Sequence, residues 1–224
     1  MENRRDGIET RRRIIAAACE VFAEKGYRGA TNAEICRRSG ANGAAINYHF
    51  RSKEALYLAS FKLTLEESLK AHPFDKGEGN PRSAVDKFRD MVRSVIKRIT
   101  DPANKSFAIL HKEMSEPTGL LDGIMGEFIG TEMEEMKVLI AEILGPGANP
   151  RTIELCATSV ISQCLHPALR ERGRMEGRHP RPPGANANRP LDVDEMVRHV
   201  FEFSIAALNS FSARKENDDT RRSP

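Results

Sequence analysis

The sequence lacks the features that mark membrane, secreted and repeat proteins. No segment approaches the ~20 consecutive apolar residues that a membrane-spanning helix needs. The basic, polar N-terminus has no apolar stretch of the kind found in signal peptides. No unit repeats with a period of about 20–50 residues, which argues against a helical array. We therefore expect a cytoplasmic protein with no membrane partner.

Signatures of catalysis and of metal binding are also missing. The chain has no glycine-rich phosphate loop, no GxSxG and no HExxH motif, so we expect neither an enzyme nor a cofactor. Its cysteines, Cys19, Cys36, Cys156 and Cys164, form no CxxC pair, so no metal site is expected. Such cysteines are most often buried, and a redox-sensing role for Cys156 or Cys164 stays open as an alternative.

What the sequence does contain is an uneven distribution of charge. The net charge is only +3, but residues 1–53 carry 11 Lys and Arg against 6 Asp and Glu, so the remaining 171 residues carry −2. A basic N-terminal part on a near-neutral body is typical of a DNA-binding end joined to a separate sensing part. A basic solvated tail would explain Arg11–Arg13, but not the motif that follows.

Residues 31–53, TNAEICRRSGANGAAINYHFRSK, predict a helix-turn-helix, which places a short helix in the major groove of DNA. The tetrapeptide TNAE at 31–34 matches the capping box that starts a helix. Gly40 is a natural helix end in the left-handed conformation, and a second helix is predicted over about 42–49. The alternative is a small helical hairpin with a solvated polar face.

The second helix should have one buried and one DNA-facing side. Ile46 and Phe50 are four residues apart and should be buried together. On the other side, Asn47 could pair bidentately with adenine, and Tyr48 could reach a thymine methyl or a phosphate. The surrounding basic side chains could meet phosphates: Arg37, Arg38, His49, Arg51 and Lys53.

Helices are also predicted on both flanks, over Arg11–Lys25 before Gly26 and from Ser52 onward. With these flanks, residues 10–58 resemble the N-terminal domain of the TetR family of bacterial transcriptional regulators. The matching segments are RRRIIAAACEVFAEKGYRGAT, GANGAAINYHF and RSKEALY.

The resemblance implies roles for individual residues. Thr31 and Lys53 look like phosphate contacts, and Tyr48 and His49 match a pair that touches the backbone and groove. The positions that read bases are Asn42, Gly43, Ala44 and Asn47. Many members have Tyr where this chain has Asn47, so the resemblance does not supply an operator sequence.

The rest of the chain is predicted to be helical as well. We expect an all-α protein of about nine helices, with a three-helix DNA-binding domain and a larger helical ligand-binding and dimerisation domain. These domains are placed at residues 1–56 and 57–212, with a disordered charged tail at 213–224. Residues 171–190, interrupted by Pro and Gly, are interpreted as an exposed loop after a helix that ends near Leu165.

The last two long helices carry apolar residues on more than one stripe, although a terminal helix of a monomer buries only one side. Two helices from each of two subunits would form a four-helix interface, and the family resemblance implies the same homodimer. The candidate interface residues are Ile153, Val160, Ile161, Phe201, Ile205 and Leu208. The alternative is that they all belong to one monomer core.

The C-terminal part resembles the CecR/CerR-like branch of the family through ILHKEMSEPTGLLD and VISQCLHPAL. The family resemblance implies a pocket there for a small-molecule effector of unknown identity. Candidate contacts are Phe107, His111 and Met114, spaced to share one helix face, with Gln163 and His166. Taken singly, each residue is more simply explained as core or surface.

These inferences combine into one expected function. The protein should be a transcriptional regulator, most simply a repressor, that binds double-stranded palindromic operator DNA as a homodimer and is released by its effector. An activator, or a regulator of the same family switched by thiol oxidation, is the alternative.

Overall fold

A computed structural model describes residues 2–74, 82–175 and 192–222, and over these residues the chain forms nine α-helices without a β-strand. The predicted all-α fold is thereby confirmed. Residues 75–81 and 176–191, the second of which holds most of the loop predicted at 171–190, lie outside the described part. No helix in the described ranges is long and apolar enough to cross a membrane.

The helices follow one another along the chain with these bounds: α1 Glu2–Gly29, α2 Asn32–Ser39, α3 Gly43–Phe50, α4 Lys53–Ala71, α5 Ala84–Thr100, α6 Lys105–Ser115, α7 Asp122–Leu144, α8 Pro150–Met175 and α9 Val193–Arg222. Helix α1 starts well before the predicted Arg11. It leaves the helical conformation at Gly26, with φ 66° and ψ −178°, where the sequence predicted its end. Glycine adopts this positive φ without steric cost.

The described chain divides into two compact units, of which the first comprises Met1–Ala71 with Pro102–Glu127. In this unit α1 packs against α2, α4 and α6. Its core includes large, fully buried side chains of five helices: Ile14, Phe22, Ile35, Ile46, Tyr57, Phe61 and Ile109. Each buried aliphatic or Phe side chain contributes about 1.5–3 kcal/mol, so this core stabilises the packing of α2 and α3 against α1.

A buried carboxylate joins α6 to α4 within the first unit. Glu113 is 8% exposed and accepts a hydrogen bond from the Tyr57 hydroxyl at 3.0 Å. It also accepts from the backbone N–H groups of Thr118 at 2.8 Å and Gly119 at 3.2 Å. Because a buried charge is costly unless it is hydrogen-bonded, these donors explain how Glu113 is accommodated beside α4.

The second unit comprises His72–Asp101 with Phe128–Pro224, and in it α5 packs against α8 and α9. Buried apolar residues of the three helices form its core: Phe88, Val92, Ile96, Ala157, Val160, Cys164, Val200 and Leu208. Arg98 of α5, 7% exposed, pairs with Glu132 of α7. The first compact unit extends past the predicted domain boundary at residue 56, to Ala71, and also includes Pro102–Glu127. The division at residue 56 into DNA-binding and ligand-binding domains stays a prediction.

Two helices run further than predicted. Helix α8 passes through Pro167 to Met175 instead of ending near Leu165. Proline removes one helical hydrogen bond, but Ala168 directly after it is 1% exposed, so packing continues past the break. Helix α9 reaches Arg222, so the backbone of 213–222 is helical where a disordered tail was predicted. The Ala, Arg, Lys and Glu residues of that segment favour a helix.

Candidate DNA-binding surface

Helix α2 is fixed at both ends by residues that the sequence singled out. The Thr31 hydroxyl accepts from the Glu34 N–H at 3.2 Å, and Gly40 has a left-handed φ of 65°. In a capping box the Glu34 carboxylate would accept from the Thr31 N–H, but here it accepts from Lys25 and Arg38 instead. The predicted helix is confirmed, and the second half of the capping box is replaced by these side-chain contacts.

Helix α3 is anchored by the two residues predicted to be buried. Ile46 is 0% exposed and Phe50 is 5% exposed. The helix begins at Gly43, because Asn42 is its N-cap and accepts from the Ala45 N–H at 2.9 Å through its side-chain oxygen. This cap uses the oxygen of the Asn42 amide and leaves its NH₂ donors for other partners.

The opposite side of α3 consists of small and polar residues that face solvent. Gly43, Ala44, Asn47 and Tyr48 are all exposed, Tyr48 by 82%. A Cβ added at Gly43 would meet nothing within 4 Å, so packing within the chain does not require glycine there. Small residues permit close approach to a groove, and the Asn47 amide offers a donor and an acceptor for a base edge.

The C-terminal end of α3 continues this face toward α4. The rings of Tyr48 and His49 are 4.9 Å apart, edge to face, and His49 is half-buried. Arg51 is exposed and has a φ of 67°, which is rare for a residue with a side chain. The Ser52 N–H donates to the Phe50 carbonyl at 2.8 Å. A tight turn therefore joins the exposed aromatic and basic groups directly to the start of α4.

Two basic residues of α2 differ in what holds them. Arg38 donates to both carboxylate oxygens of Glu24, at 2.7 and 2.6 Å, and to Glu34 at 2.8 Å. These bonds from Arg38 lower the pKa of Glu24, and bonds from Lys25 and then Arg38 lower the pKa of Glu34. Arg38, expected among the phosphate contacts, is thus engaged inside the unit. Arg37 has a side chain 73% exposed and lies 3.9 Å from Glu34.

Lys53, at the start of α4, rests on an aromatic ring. Its ammonium lies 4.4 Å from the centroid of the Tyr27 ring, and desolvation lowers the pKa of Lys53. The adjacent Glu54 carboxylate accepts from the Tyr27 hydroxyl at 2.6 Å. Within residues 2–74, 82–175 and 192–222, no ion pair engages Lys53. Its positive charge is therefore available to a phosphate.

Arg11 is a second cation held by an aromatic ring, and the sequence did not single it out. Its guanidinium carbon lies 5.0 Å from the centroid of the Phe50 ring, which places a positive charge at the C-terminal end of α3. The sequence predicted a helix starting at Arg11, with a basic solvated tail as the alternative, and no contact with α3. The contact joins residues far apart in the chain, so no local pattern reveals it.

The predicted dimer-interface residues fall into two groups. Three are buried by the chain itself: Val160, Phe201 and Leu208. Three are half-buried: Ile153, Ile161 and Ile205. The large apolar side chains that α8 and α9 expose are others, at 52%, 58% and 42% exposure: Leu155, Phe203 and Phe211. Residues buried within one chain have little surface left for a partner, and the interface itself stays a prediction.

The predicted ligand contacts belong to different compact units. Phe107, His111 and Met114 lie on α6 in the first unit, whereas Gln163 and His166 lie on α8 in the second. Phe107 is 7% exposed and Met114 57% exposed, so their helical spacing does not give them a common environment. His111 is half-buried, His166 is exposed, and the Gln163 amide donates to the Ser159 carbonyl at 3.4 Å.

Three cysteine thiols, those of Cys19, Cys156 and Cys164, have raised rather than lowered pKa values. Burial raises the pKa of Cys19 to about 11 and that of Cys164 to about 12, and desolvation also raises that of Cys156. Such thiols stay protonated at neutral pH and are poor nucleophiles, which gives the redox alternative no support. Among the described residues, no group of three or more His, Cys, Asp or Glu side chains could hold a metal ion.

Comparison with known proteins identifies two family matches. Residues 14–60 match the family described as bacterial regulatory proteins, tetR family. Residues 84–208, more than half of the chain, match the C-terminal domain of the HTH-type transcriptional dual regulator CecR. The CecR protein of Shigella flexneri is 30% identical over 170 residues, which cover 71% of this chain and 75% of the relative.

Solved structures share the fold at low sequence identity. AibR, in complex with isovaleryl coenzyme A and operator DNA, has a TM-score of 0.63 at 16% identity, covering 87% of this chain and 97% of AibR. The transcriptional regulator FadR from Bacillus subtilis, in complex with stearoyl-CoA, has a TM-score of 0.61 at 16% identity, with coverages of 86% and 96%. With the family matches and the helix-turn-helix geometry, the chain belongs to the TetR family of DNA-binding transcriptional regulators, with a C-terminal domain of the CecR type.

Proposed function

We propose that the protein is a repressor that binds a palindromic operator as a homodimer and is released by a small-molecule effector. The observation that carries the proposal is the solvent side of α3, where Gly43, Ala44 and Asn47 face outward above buried Ile46 and Phe50. These exposed residues add nothing to a core, but they suit close contact with base edges. Bacterial operator DNA lies in the cytoplasm, so the protein acts there.

The surface divides into base-reading and phosphate-binding parts. Base reading is assigned to Asn47, with Asn42 through its free NH₂ donors, and Gly43 and Ala44 allow close approach. Phosphate binding is assigned to the surrounding groups: Thr31, Arg37, Tyr48, His49, Lys53 and Arg11. Each cation that meets a phosphate releases a counterion, so the slope of log affinity against log salt steepens by ~0.9 per contact.

The homodimer is proposed to form through α8 and α9, which pack against each other and expose Leu155, Phe203 and Phe211. A two-fold dimer presents two α3 helices to two half-sites. Phe203→Glu should therefore yield a monomer by light scattering, with weak operator binding. Val138→Glu places the same charge at a 56% exposed apolar site on α7 and should stay dimeric. A dimeric Phe203→Glu variant would contradict this interface.

The effector is proposed to bind the C-terminal part of the chain. Acyl-CoA thioesters are the first class to test, because the related folds of AibR and FadR were solved with such ligands. The ligand-free dimer holds its two α3 helices at the operator spacing, and a ligand that prefers another arrangement shifts the population. A change from mostly bound to mostly released needs about a 10⁴-fold differential affinity, roughly 5.5 kcal/mol. A ligand that bound free and operator-bound dimer equally would contradict the scheme.

The proposal is tested by selecting random duplexes with the purified protein at about 150 mM salt, where non-specific binding is weakened. A palindromic consensus with two half-sites is expected. Enrichment of no sequence, with only salt-sensitive general binding, would contradict sequence reading by α3.

Activation is a second candidate role, because the Shigella flexneri relative is described as a dual regulator. A reporter driven by the selected operator distinguishes the two roles in cells. Deletion of the gene should raise reporter output for a repressor and lower it for an activator.

A further inference from the structure

We propose that Tyr27 is a positioning residue for DNA binding, which holds the Lys53 ammonium on its ring and binds the neighbouring Glu54 carboxylate through its hydroxyl. The inference rests on the proposed function, because Lys53 is itself a proposed phosphate contact. Tyr27 is assigned no contact with DNA; it acts through Lys53.

The ring of Tyr27 provides a fixed seat for a flexible cation. The Lys53 ammonium lies 4.4 Å from the ring centroid, within the range of a cation–π attraction. The Tyr27 ring packs in turn against Tyr57, which is 0% exposed; the centroids of the two rings are 5.2 Å apart. Lysine loses side-chain entropy when its long stem is fixed. Because the Tyr27 ring already positions the Lys53 ammonium in the free protein, the Lys53 side chain loses less conformational entropy when DNA binds.

The hydroxyl of Tyr27 engages the acid that would otherwise compete for Lys53. Glu54 follows Lys53 directly in sequence, and its carboxylate accepts from the Tyr27 hydroxyl at 2.6 Å. This hydrogen bond is the main cause that lowers the pKa of Glu54 to about 2 and raises the pKa of Tyr27 to about 12. At neutral pH the pair therefore stays a phenol donor and a carboxylate acceptor.

Another lysine of the same unit shows what happens when a carboxylate is within reach. Lys25 pairs with the Glu34 carboxylate, so part of its charge is neutralised inside the protein. Lys53 has a carboxylate neighbour as well, but that neighbour is bound by Tyr27. The Tyr27 side chain thus performs two tasks, one with its ring and one with its hydroxyl.

Two substitutions separate these tasks. Tyr27→Phe keeps the ring and removes the hydroxyl, which is the main hydrogen-bond donor to the Glu54 carboxylate, ahead of Ser52. Glu54 should then pair more closely with Lys53, and we expect operator affinity to fall about threefold. Tyr27→Leu removes both ring and hydroxyl, and we expect a fall of about five- to tenfold. In Tyr27→Phe, the further change Glu54→Gln removes the competing charge and should restore most of the lost affinity.

The deciding experiment is a double-mutant cycle between Tyr27 and Lys53, measured by fluorescence anisotropy on the selected consensus duplex. Lys53→Ala should weaken binding and reduce the salt slope by ~0.9. Tyr27→Leu should weaken the wild type, yet change the affinity of Lys53→Ala by less than about twofold. An equal loss in both backgrounds would show that Tyr27 acts independently of Lys53 and would overturn the inference.

The outcomes separate this inference from the proposed function. Failure of the wild type to bind any duplex would contradict the proposed function. A full effect of Lys53→Ala without coupling to Tyr27 would contradict only the positioning role, and an inert Lys53→Ala would remove the contact on which that role depends. Melting temperatures establish which variants are folded. If Tyr27→Leu does not fold, rescue of Tyr27→Phe by Glu54→Gln decides, and absence of rescue overturns the inference.

Discussion

Arg38 and Arg11 lie in the same compact unit, but their surroundings differ. Arg38 donates three hydrogen bonds to the carboxylates of Glu24 and Glu34, between α1 and α2. Arg11 lies over the Phe50 ring at the end of α3. A guanidinium bound by two carboxylates is neutralised within the fold, whereas a cation on a ring keeps its N–H donors for another partner. Sequence alone would not separate these two arginines.

A second cation lies over an aromatic ring at the junction of α3 and α4. Lys53 lies over the Tyr27 ring, and the exposed residues of α3 precede it directly in the chain. The α1–α2 contact thus holds the unit together with paired charges, and the α3–α4 region presents small residues, an amide and ring-held cations. The group that contacts a basic side chain therefore indicates its role. A cation bound by carboxylates stabilises the fold, whereas a cation over a ring can still bind a ligand.

The largest expected effect comes from filling the open space beside α3. Gly43→Leu should weaken operator binding roughly 100-fold or more, because the added side chain separates the helix from the groove. The melting temperature should not fall, since a Cβ at Gly43 meets nothing within 4 Å and leucine favours a helix over glycine. Anisotropy and thermal denaturation measure the two quantities.

A matched glycine provides the control for that variant. Gly123 also lies in the first turn of its helix, α7, and a Cβ there also meets nothing within 4 Å. Gly123→Leu should therefore retain both stability and operator binding. Full operator binding by Gly43→Leu would show that this side of α3 does not enter the groove.

The next effect concerns sequence reading. Asn47→Ala should reduce discrimination at one base pair of each half-site by ~1–3 kcal/mol, if its amide pairs bidentately with a base. Affinities for the consensus duplex and for a random duplex should be compared at the same salt concentration. Equal losses on both duplexes would mean that Asn47 reads no base.

A smaller effect is the difference in melting temperature expected between the variants Arg38→Ala and Arg11→Ala. Arg38→Ala should lower the melting temperature by a few degrees, because it leaves the Glu24 and Glu34 carboxylates without their shared partner. Arg11→Ala should lower it less, since Arg11 holds no part of that network. The comparison between the regions would fail if Arg11→Ala were the more destabilised protein by calorimetry.

The smallest effect is the pH dependence of the α1–α2 contact. The pKa values of Glu24 and Glu34 lie below the ordinary value of 4.5 in the folded state. A lowered folded pKa contributes stability that is present above 4.5 and is lost as the pH falls through the folded pKa. From about pH 6 to about pH 3, the melting temperature of the wild type should fall more than that of Arg38→Ala. Parallel curves would show that the network adds no pH-dependent stability.

Local rules were sufficient for the helices of the DNA-binding motif. Thr31 at the start of α2, Gly40 at its end, and the burial of Ile46 and Phe50 follow from capping chemistry and from helical spacing. Each of these features depends on residues no more than four positions apart. For that reason the sequence alone predicts them well.

The features that the sequence did not predict depend on contacts between distant segments. Arg38 donates to Glu24 on another helix, and Arg11 lies over the ring of Phe50 on α3. Neither contact follows from a helical spacing in the sequence. On α9, apolar residues occur around the helix, and only packing shows that Phe201 turns inward while Phe203 faces solvent. Helix α8 passes Pro167 because tertiary packing outweighs a local break.

The central claim is that Arg11 and Lys53, which lie over aromatic rings, bind DNA, whereas Arg38, which is bound by carboxylates, stabilises the fold. The salt dependence of operator affinity tests this claim most directly. The slope of log affinity against log salt should be measured for the wild type, for Arg11→Ala combined with Lys53→Ala, and for Arg38→Ala. We expect the double variant to reduce the slope by ~1.8 and Arg38→Ala to leave it unchanged. A slope reduced as much by Arg38→Ala, or unchanged in the double variant, would contradict the account.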